Sequence, residues 1–308
     1  MHASLSTPKS SLTVWAVTDN KPGHRNQVEG LLEALSKYRK MNINWISDVS
    51  LTKNLWMLMT KRCDFCSASS PDLIVGAGHQ THLTLLALRR CCSGRIILMM
   101  SPSLPLACFD LCFIPRHDNP PEKTNVVETL GAINRMIPSK SHLAKTGLIL
   151  LGGPSRHYDW NSKAVINQVI SVIEKNSGVE WIIAGSRRTP DECYKALRSH
   201  FPDSMIVIPE QVTTDWLPMK MQETEQIWVT ADSISMIYEA LTSGAVTGVL
   251  RLNYEKPSRV SKEIEHLIAE SRVRTLSQIN PIVPRMEISP TLYEADRCAK
   301  LLLEKMDL

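Results

Sequence analysis

An α/β fold made of two Rossmann-like halves is what this sequence predicts, on three observations. Short apolar runs bounded by turn residues recur along the chain. Helical patterns fall between them, and the whole rhythm begins a second time after Ser139. The first series of strands is expected at Val14 to Val17, Ile43 to Ile46, Leu73 to Val75, Ile96 to Met100 and Leu111 to Ile114. Helices are expected at Asn26 to Lys37 and at His82 to Arg90. The second series reads GLILLGG, WIIAGS, MIVIP, QIWVT and AVTGVL as strands. Its helices fall near Lys163 to Glu174, Asp191 to Ser199 and Ser233 to Thr242. Alternating strands and helices imply parallel sheets covered on both faces. The stretch from Ile137 to Ser141 reads as the hinge, which places one domain at 1–138 and the other at 139–308. An amphipathic helix at Pro290 to Met306 closes the chain and could pack back on the N-terminal domain.

Composition narrows the function classes. A chain of 308 residues exceeds the usual span of one core, which favours two domains. With 43% hydrophobic and 21% charged residues it has the balance of a soluble globular protein. The net charge of +4 is spread along the length without a basic stripe or tail, so nucleic acid is not an expected partner. No apolar run approaches a spanning helix, and the first residues lack the pattern of a secretory signal. The expected location is the cytoplasm, with room for peripheral contact on the cytoplasmic face of the inner membrane. Cys63 and Cys66 form a CxxC, but Cys91 and Cys92 are adjacent, a spacing that argues against a zinc site.

In open α/β sheets ligands bind beyond the carboxyl ends of the strands, so turns that follow strands carry the functional candidates. The first, Asp19-Asn20-Lys21-Pro22-Gly23-His24, brings His24 to a helix start, where amide donors favour negative charge and a neutral imidazole can accept a proton. The second runs from Gly76 through Gly78 and His79 to Thr81 and His82; its glycines allow close backbone approach to a ligand. The third, Gly152-Gly153-Pro154-Ser155-Arg156-His157, combines small residues, a hydroxyl and a guanidinium, donors suited to a diphosphate, and Gly185 to Pro190 repeats the idea with Arg187. The fourth begins at Thr230: Asp232 or Ser233 is expected to cap a helix that also carries Ser235 and, further along, Glu239, a carboxylate able to accept from ribose hydroxyls.

Taken together, VTDNKPGHRNQVEGLLEAL, GAGHQTH, PRHD, TLGAINR, GGPSRHYDW, GSRRTP and VTADSISMIYEA resemble the Elm mitochondrial-fission family and its bacterial relatives, described as glycosyltransferases. The resemblance runs from about Val14 to Leu250. More distantly the arrangement is similar to the GT-B glycosyltransferases of the MurG type. That implies a GT-B-like fold, with two Rossmann-like domains facing a central cleft. It also implies His24 at the catalytic turn, with Gly76, Gly78 and His79 near the acceptor and Gly153, Ser155, Arg187, Ser233, Ser235 and Glu239 near the donor. Asn20, Lys21 and Pro22 stand where the MurG type carries several glycines.

The expected activity is therefore a metal-independent glycosyltransferase that moves a sugar from a nucleotide-sugar donor to a glycolipid or other envelope saccharide such as lipopolysaccharide core. His24, backed by Asp19, would be the base, and Lys21, Gly76, Gly78, His79 and Thr81 would meet the acceptor. Gly152, Gly153, Ser155, Arg156, Arg187, Asp232, Ser233, Ser235 and Glu239 would hold the donor. No separate cofactor is expected, the nucleotide-sugar being a co-substrate. Two alternatives stand beside it: a non-catalytic adaptor at a membrane surface, of the mitochondrial-fission type, and a nucleotide-sugar epimerase on the same fold.

Overall fold

The computed structural model describes residues 11–47, 49–65, 70–279 and 292–308. Cys66 of the CxxC and the start of the expected C-terminal segment, Pro290, lie outside these residues. The chain divides into two compact units, Met1–Arg135 with Glu294–Leu308, and Met136–Tyr293.

In the first unit the strands β1 (Leu12–Thr18), β2 (Met41–Ser47), β3 (Leu73–Ala77), β4 (Arg95–Met99), β5 (Leu111–Pro115) and β6 (Val126–Thr129) alternate with helices α1 (Pro22–Ser36), α2 (Leu51–Thr60) and α3 (His82–Cys92). All strand pairings are parallel, in the order β2-β1-β3-β4-β5-β6. The central strands read as unbroken apolar runs because both of their faces are covered. Ile74, Leu85, Leu88, Ile96 and Leu98 pack together on the α2 and α3 side, with Met57 of α2 joining them. Pro22 suits the first turn of α1, where an amide would lack an intrahelical partner in any case.

The second unit repeats the plan with β7 (Leu143–Leu151), α4 (Ser162–Lys175), β8 (Glu180–Gly185), α5 (Asp191–His200), β9 (Ile206–Val207), α6 (Trp216–Glu223), β10 (Thr224–Thr230), α7 (Ile234–Ser243), β11 (Val246–Leu250) and α8 (Arg259–Ala269). Its parallel sheet has the order β11-β10-β7-β8-β9. Asn161 caps α4 by accepting from the Ala164 amide, and Ser258 and Ser261 form a reciprocal capping box on α8. In both sheets the chain works outward in one direction, returns, and works outward in the other. The reversal falls between β1 and β3 in the first unit and between β7 and β10 in the second. These are the positions where doubly wound sheets open a crevice at their carboxyl edge.

The final helix, α9 (Glu294–Lys305), belongs to the first unit and packs on α1. Buried Glu294 anchors it: one carboxylate oxygen accepts the Leu130 amide at 2.9 Å, and Arg297 donates to both oxygens. Arg297 also reaches the Glu128 carbonyl at 2.7 Å, while Asp296 accepts from the Tyr38 hydroxyl of the α1 end at 2.8 Å. Glu294→Ala would leave the part-buried Leu130 amide without its acceptor, while Arg297, whose side chain is 43% exposed, can turn to water. We expect a loss of about 1–2 kcal/mol in the stability of the first unit, read as a lower urea midpoint at unchanged slope.

Candidate functional site

At the carboxyl end of β1 the chain must turn at once into α1. Asn20 makes this possible by adopting a left-handed conformation, φ 61°, which asparagine tolerates better than most residues. Its amide donates to Thr18 Oγ1 at 3.1 Å. The turn folds Asp19 back over the start of the helix, where the carboxylate accepts the Lys21 amide at 3.2 Å and lies 3.3 Å from the Lys21 ammonium. It also lies 2.9 Å from His24 Nδ1. The Asp19 side chain is 1% exposed and that of His24 17%. Burial works against the charged carboxylate, but the Lys21 amide and the His24 ring outweigh it and hold Asp19 below the ordinary carboxylate range.

An ionised Asp19 facing Nδ1 selects the tautomer in which Nδ1 carries the proton, leaving Nε2 with its lone pair. Across the switch point, Gly78 adopts φ +83°, and a Cβ there would lie 2.2 Å from His24 Cε1. Any side chain at 78 would displace the imidazole. Asp19, Lys21, His24 and Gly78 thus form one cluster. The other candidates of this unit are placed differently. Gly76 lies within β3, where an added Cβ would meet Leu85 and Thr81 at 3.1 Å, so it makes room for the packing of α3. Thr81 is buried with its hydroxyl donating to the Gly78 carbonyl at 2.8 Å, while His79 stands exposed.

In the second unit the Gly152-Gly153 turn after β7 is held from two sides. The Gly152 amide donates to Thr230 Oγ1 at 2.8 Å and the Gly153 amide to Asp232 Oδ2 at 3.1 Å. Thr189 Oγ1 donates to the Gly152 carbonyl at 2.6 Å and Ser186 Oγ to the same oxygen at 3.1 Å. A Cβ on Gly152 would overlap Asp232, and one on Gly153 would overlap the Arg188 backbone. Asp232, with a fully buried side chain, pairs with Arg188 Nη2 at 2.8 Å, and Arg188 Nη1 donates to the carbonyls of Gly153 and Pro154. The second Asp232 oxygen, Oδ1, is buried without a hydrogen-bond partner.

The capping role expected of Asp232 or Ser233 is not what the structure shows: Ser233 begins α7 without a side-chain cap, because Asp232 turns back to Gly153 and Arg188. The first-turn amides of α7 are therefore open to an external acceptor. Ser235 sits exposed in that first turn and Glu239 half-buried one turn on. Ser155 accepts from the His157 amide at 3.3 Å, Arg156 donates to His157 Nε2 at 3.1 Å, and Arg187 remains exposed.

The sequence profile described as Mitochondrial fission ELM1 matches residues 22–306. The chain belongs to that family. An uncharacterized protein of Rickettsia prowazekii is 21% identical over 347 residues, spanning 94% of this ELM1-family chain and 98% of its own. Among solved structures, the UDP-N-acetylglucosamine 2-epimerase of Neisseria meningitidis bound to UDP-GlcNAc aligns with a TM-score of 0.50 at 12% identity, over 96% of this chain and 99% of that one. S. aureus MnaA with UDP aligns at 0.51 and 12% identity, over 96% and 89%. At such identities the likeness concerns the fold, two Rossmann-like parallel α/β units of the GT-B type, as the sequence predicts.

Within the candidate turns, the sequence reading chose Arg187 over its neighbour Arg188 and gave no role to Thr189, Ser186 or His82. His82 opens α3 at 2% exposure, its Nδ1 3.2 Å from Ser103 Oγ and its ring edge-on to Phe109 at 5.3 Å. Nε2 is buried with no partner. Burial, with the nearby His79, lowers the His82 pKa to about 4. Since the folded value lies below the unfolded 6.5, the unfolded chain binds the extra proton between those values, and acid favours unfolding there. Stability should fall by up to about 3 kcal/mol as pH drops through that window. Denaturant titrations of the ELM1-family chain across the window should show this slope, and His82→Gln should flatten it.

Proposed function

We propose that this protein is a glycosyltransferase that moves a sugar from a nucleotide-sugar donor to a cell-envelope saccharide acceptor such as lipopolysaccharide core. The observation that carries the reading is the Asp19–His24 pair, an oriented and partly exposed imidazole at a switch point of the sheet. In this reaction His24 Nε2 takes the proton of the acceptor hydroxyl, whose oxygen bonds to the donor's anomeric carbon as the bond to the diphosphate breaks. Asp19 stabilises the imidazolium that results. Lys21, with His79, meets the acceptor.

On the donor side the open amides at the start of α7, with Ser233 and Ser235, receive the diphosphate, and Glu239 accepts from the ribose. Because Arg188 is neutralised by Asp232, the positive charge for the leaving group comes from Arg187, Arg156 and the helix start. Gly152 and Gly153 bring their backbone close to the nucleotide. Support for a nucleotide ligand comes from the two solved structures of like fold, which hold UDP-GlcNAc and UDP. The Neisseria meningitidis protein, a UDP-N-acetylglucosamine 2-epimerase, favours the second reading, a nucleotide-sugar epimerase, in which the His24 pair would move a proton on the sugar itself.

Calorimetric titration with UDP, GDP, CMP and their sugars tests both. Binding of none of them would sink the enzymatic reading and leave a membrane-surface adaptor. In the transferase, His24→Ala should abolish turnover with donor affinity intact, and Asp19→Asn should lower kcat by about 10²–10⁴-fold. A change of sugar stereochemistry without any acceptor would select the epimerase.

A further inference from the structure

Helix α2 is amphipathic the wrong way round. Its polar Asn54 is buried, donating to the Val49 carbonyl at 2.9 Å and to Thr84 Oγ1 at 3.0 Å. Met57 accompanies it into the core. Leu58 also packs against the core, but four other large apolar residues face outward: Leu51, Leu55, Trp56 and Met59 are between 44% and 83% exposed. Leu51, Leu55 and Met59 repeat at a spacing of four and form one stripe along the helix. Four large apolar side chains on a helix of 10 residues make a contiguous patch, unlike the scattered exposures that need no explanation.

The charges around the patch identify its occupant. From Ser50 to Cys63 there is no acidic residue, while Lys53, Lys61 and Arg62 all lie in this stretch. Lys53 pairs with Asp64 at 2.9 Å. Lys61 and Arg62 are exposed at the carboxyl end of α2. Exposed Arg90 joins them there, held beside the helix by its bond to the Leu58 carbonyl at 2.7 Å. Neighbouring helices therefore bring cations to one end of an apolar stripe that includes a tryptophan, the combination by which helices lie in the interface of an anionic bilayer. A second copy of this chain fits poorly, since a symmetric contact would bring like charges together.

We infer that α2 docks the protein on an anionic membrane surface, with Leu51, Leu55, Trp56 and Met59 entering the headgroup boundary and Lys61, Arg62 and Arg90 meeting lipid phosphates. The inference uses neither the His24 cluster nor the Gly153 cluster.

Co-sedimentation of the full chain with vesicles tests it without donor or acceptor, so its failure is separate from failure of the glycosyltransferase reading. Vesicles of phosphatidylcholine mixed with phosphatidylglycerol should pellet the protein, and phosphatidylcholine alone should do so at least about tenfold less well. Leu55→Glu with Met59→Glu should lower partitioning on the anionic vesicles by about tenfold or more. Lys61→Glu with Arg62→Glu should weaken it comparably and remove its salt dependence. Met59→Ser, at the most exposed position, provides a milder variant, with circular dichroism and thermal melts confirming that each variant folds. Equal binding by the wild type and by folded variants would overturn the inference. So would failure to bind any vesicle, or a dimer in light scattering that Leu55→Glu dissociates.

Discussion

The hydrogen bond between the Asp19 carboxylate and His24 Nδ1 is the constraint on which the candidate site of the first unit hangs. It exists because a buried strand delivers Asp19 to the sheet edge, Asn20 accepts a left-handed conformation, and Pro22 starts the helix without an amide to satisfy. Each step is local. Together they fix which imidazole nitrogen bears the proton, and Gly78 keeps the space that the ring occupies. Moving the carboxylate would leave the imidazole in place yet free to choose its tautomer.

The second unit solves a different problem. Its turn after β7 is stiffened by Thr230, Ser186, Thr189 and the Arg188–Asp232 pair, which are engaged with the backbone. A rigid turn of small residues admits close approach and loses little freedom when something binds. The buried pair is neutral in sum, so attraction for an anion falls to groups outside it.

Much of this architecture was legible in the sequence. Central strands such as Ile96 to Met99 are apolar throughout because parallel strands are covered on both sides, and the turns that follow them carry glycine, histidine and hydroxyl residues. The helix α2 escaped notice because the apolar residues that would mark a core-facing stripe point away from the core, whereas Asn54 faces it. The helix α8 carries a regular pattern, Val260, Ile264 and Leu267, but the polar and charged residues between them leave no apolar run to mark its bounds. In β6 four residues are too few for alternation to register. At the candidate sites, the sequence could place Arg187 and Arg188 in one turn, but which guanidinium faces Asp232 depends on a register that only the fold defines. His82 carries no signal separating a buried ring from an exposed one.

The helix α9 completes the first unit from the far end of the chain, after the whole of the second has been synthesised. On the ribosome the second unit is contiguous and can reach its final state as soon as it emerges, whereas the earlier-made residues must wait with the α1 surface uncovered. Birth order and maturation order are thus reversed in this molecule. A chain truncated before Glu294 would carry every residue of the imidazole cluster yet leave bare the surface of α1 that α9 covers.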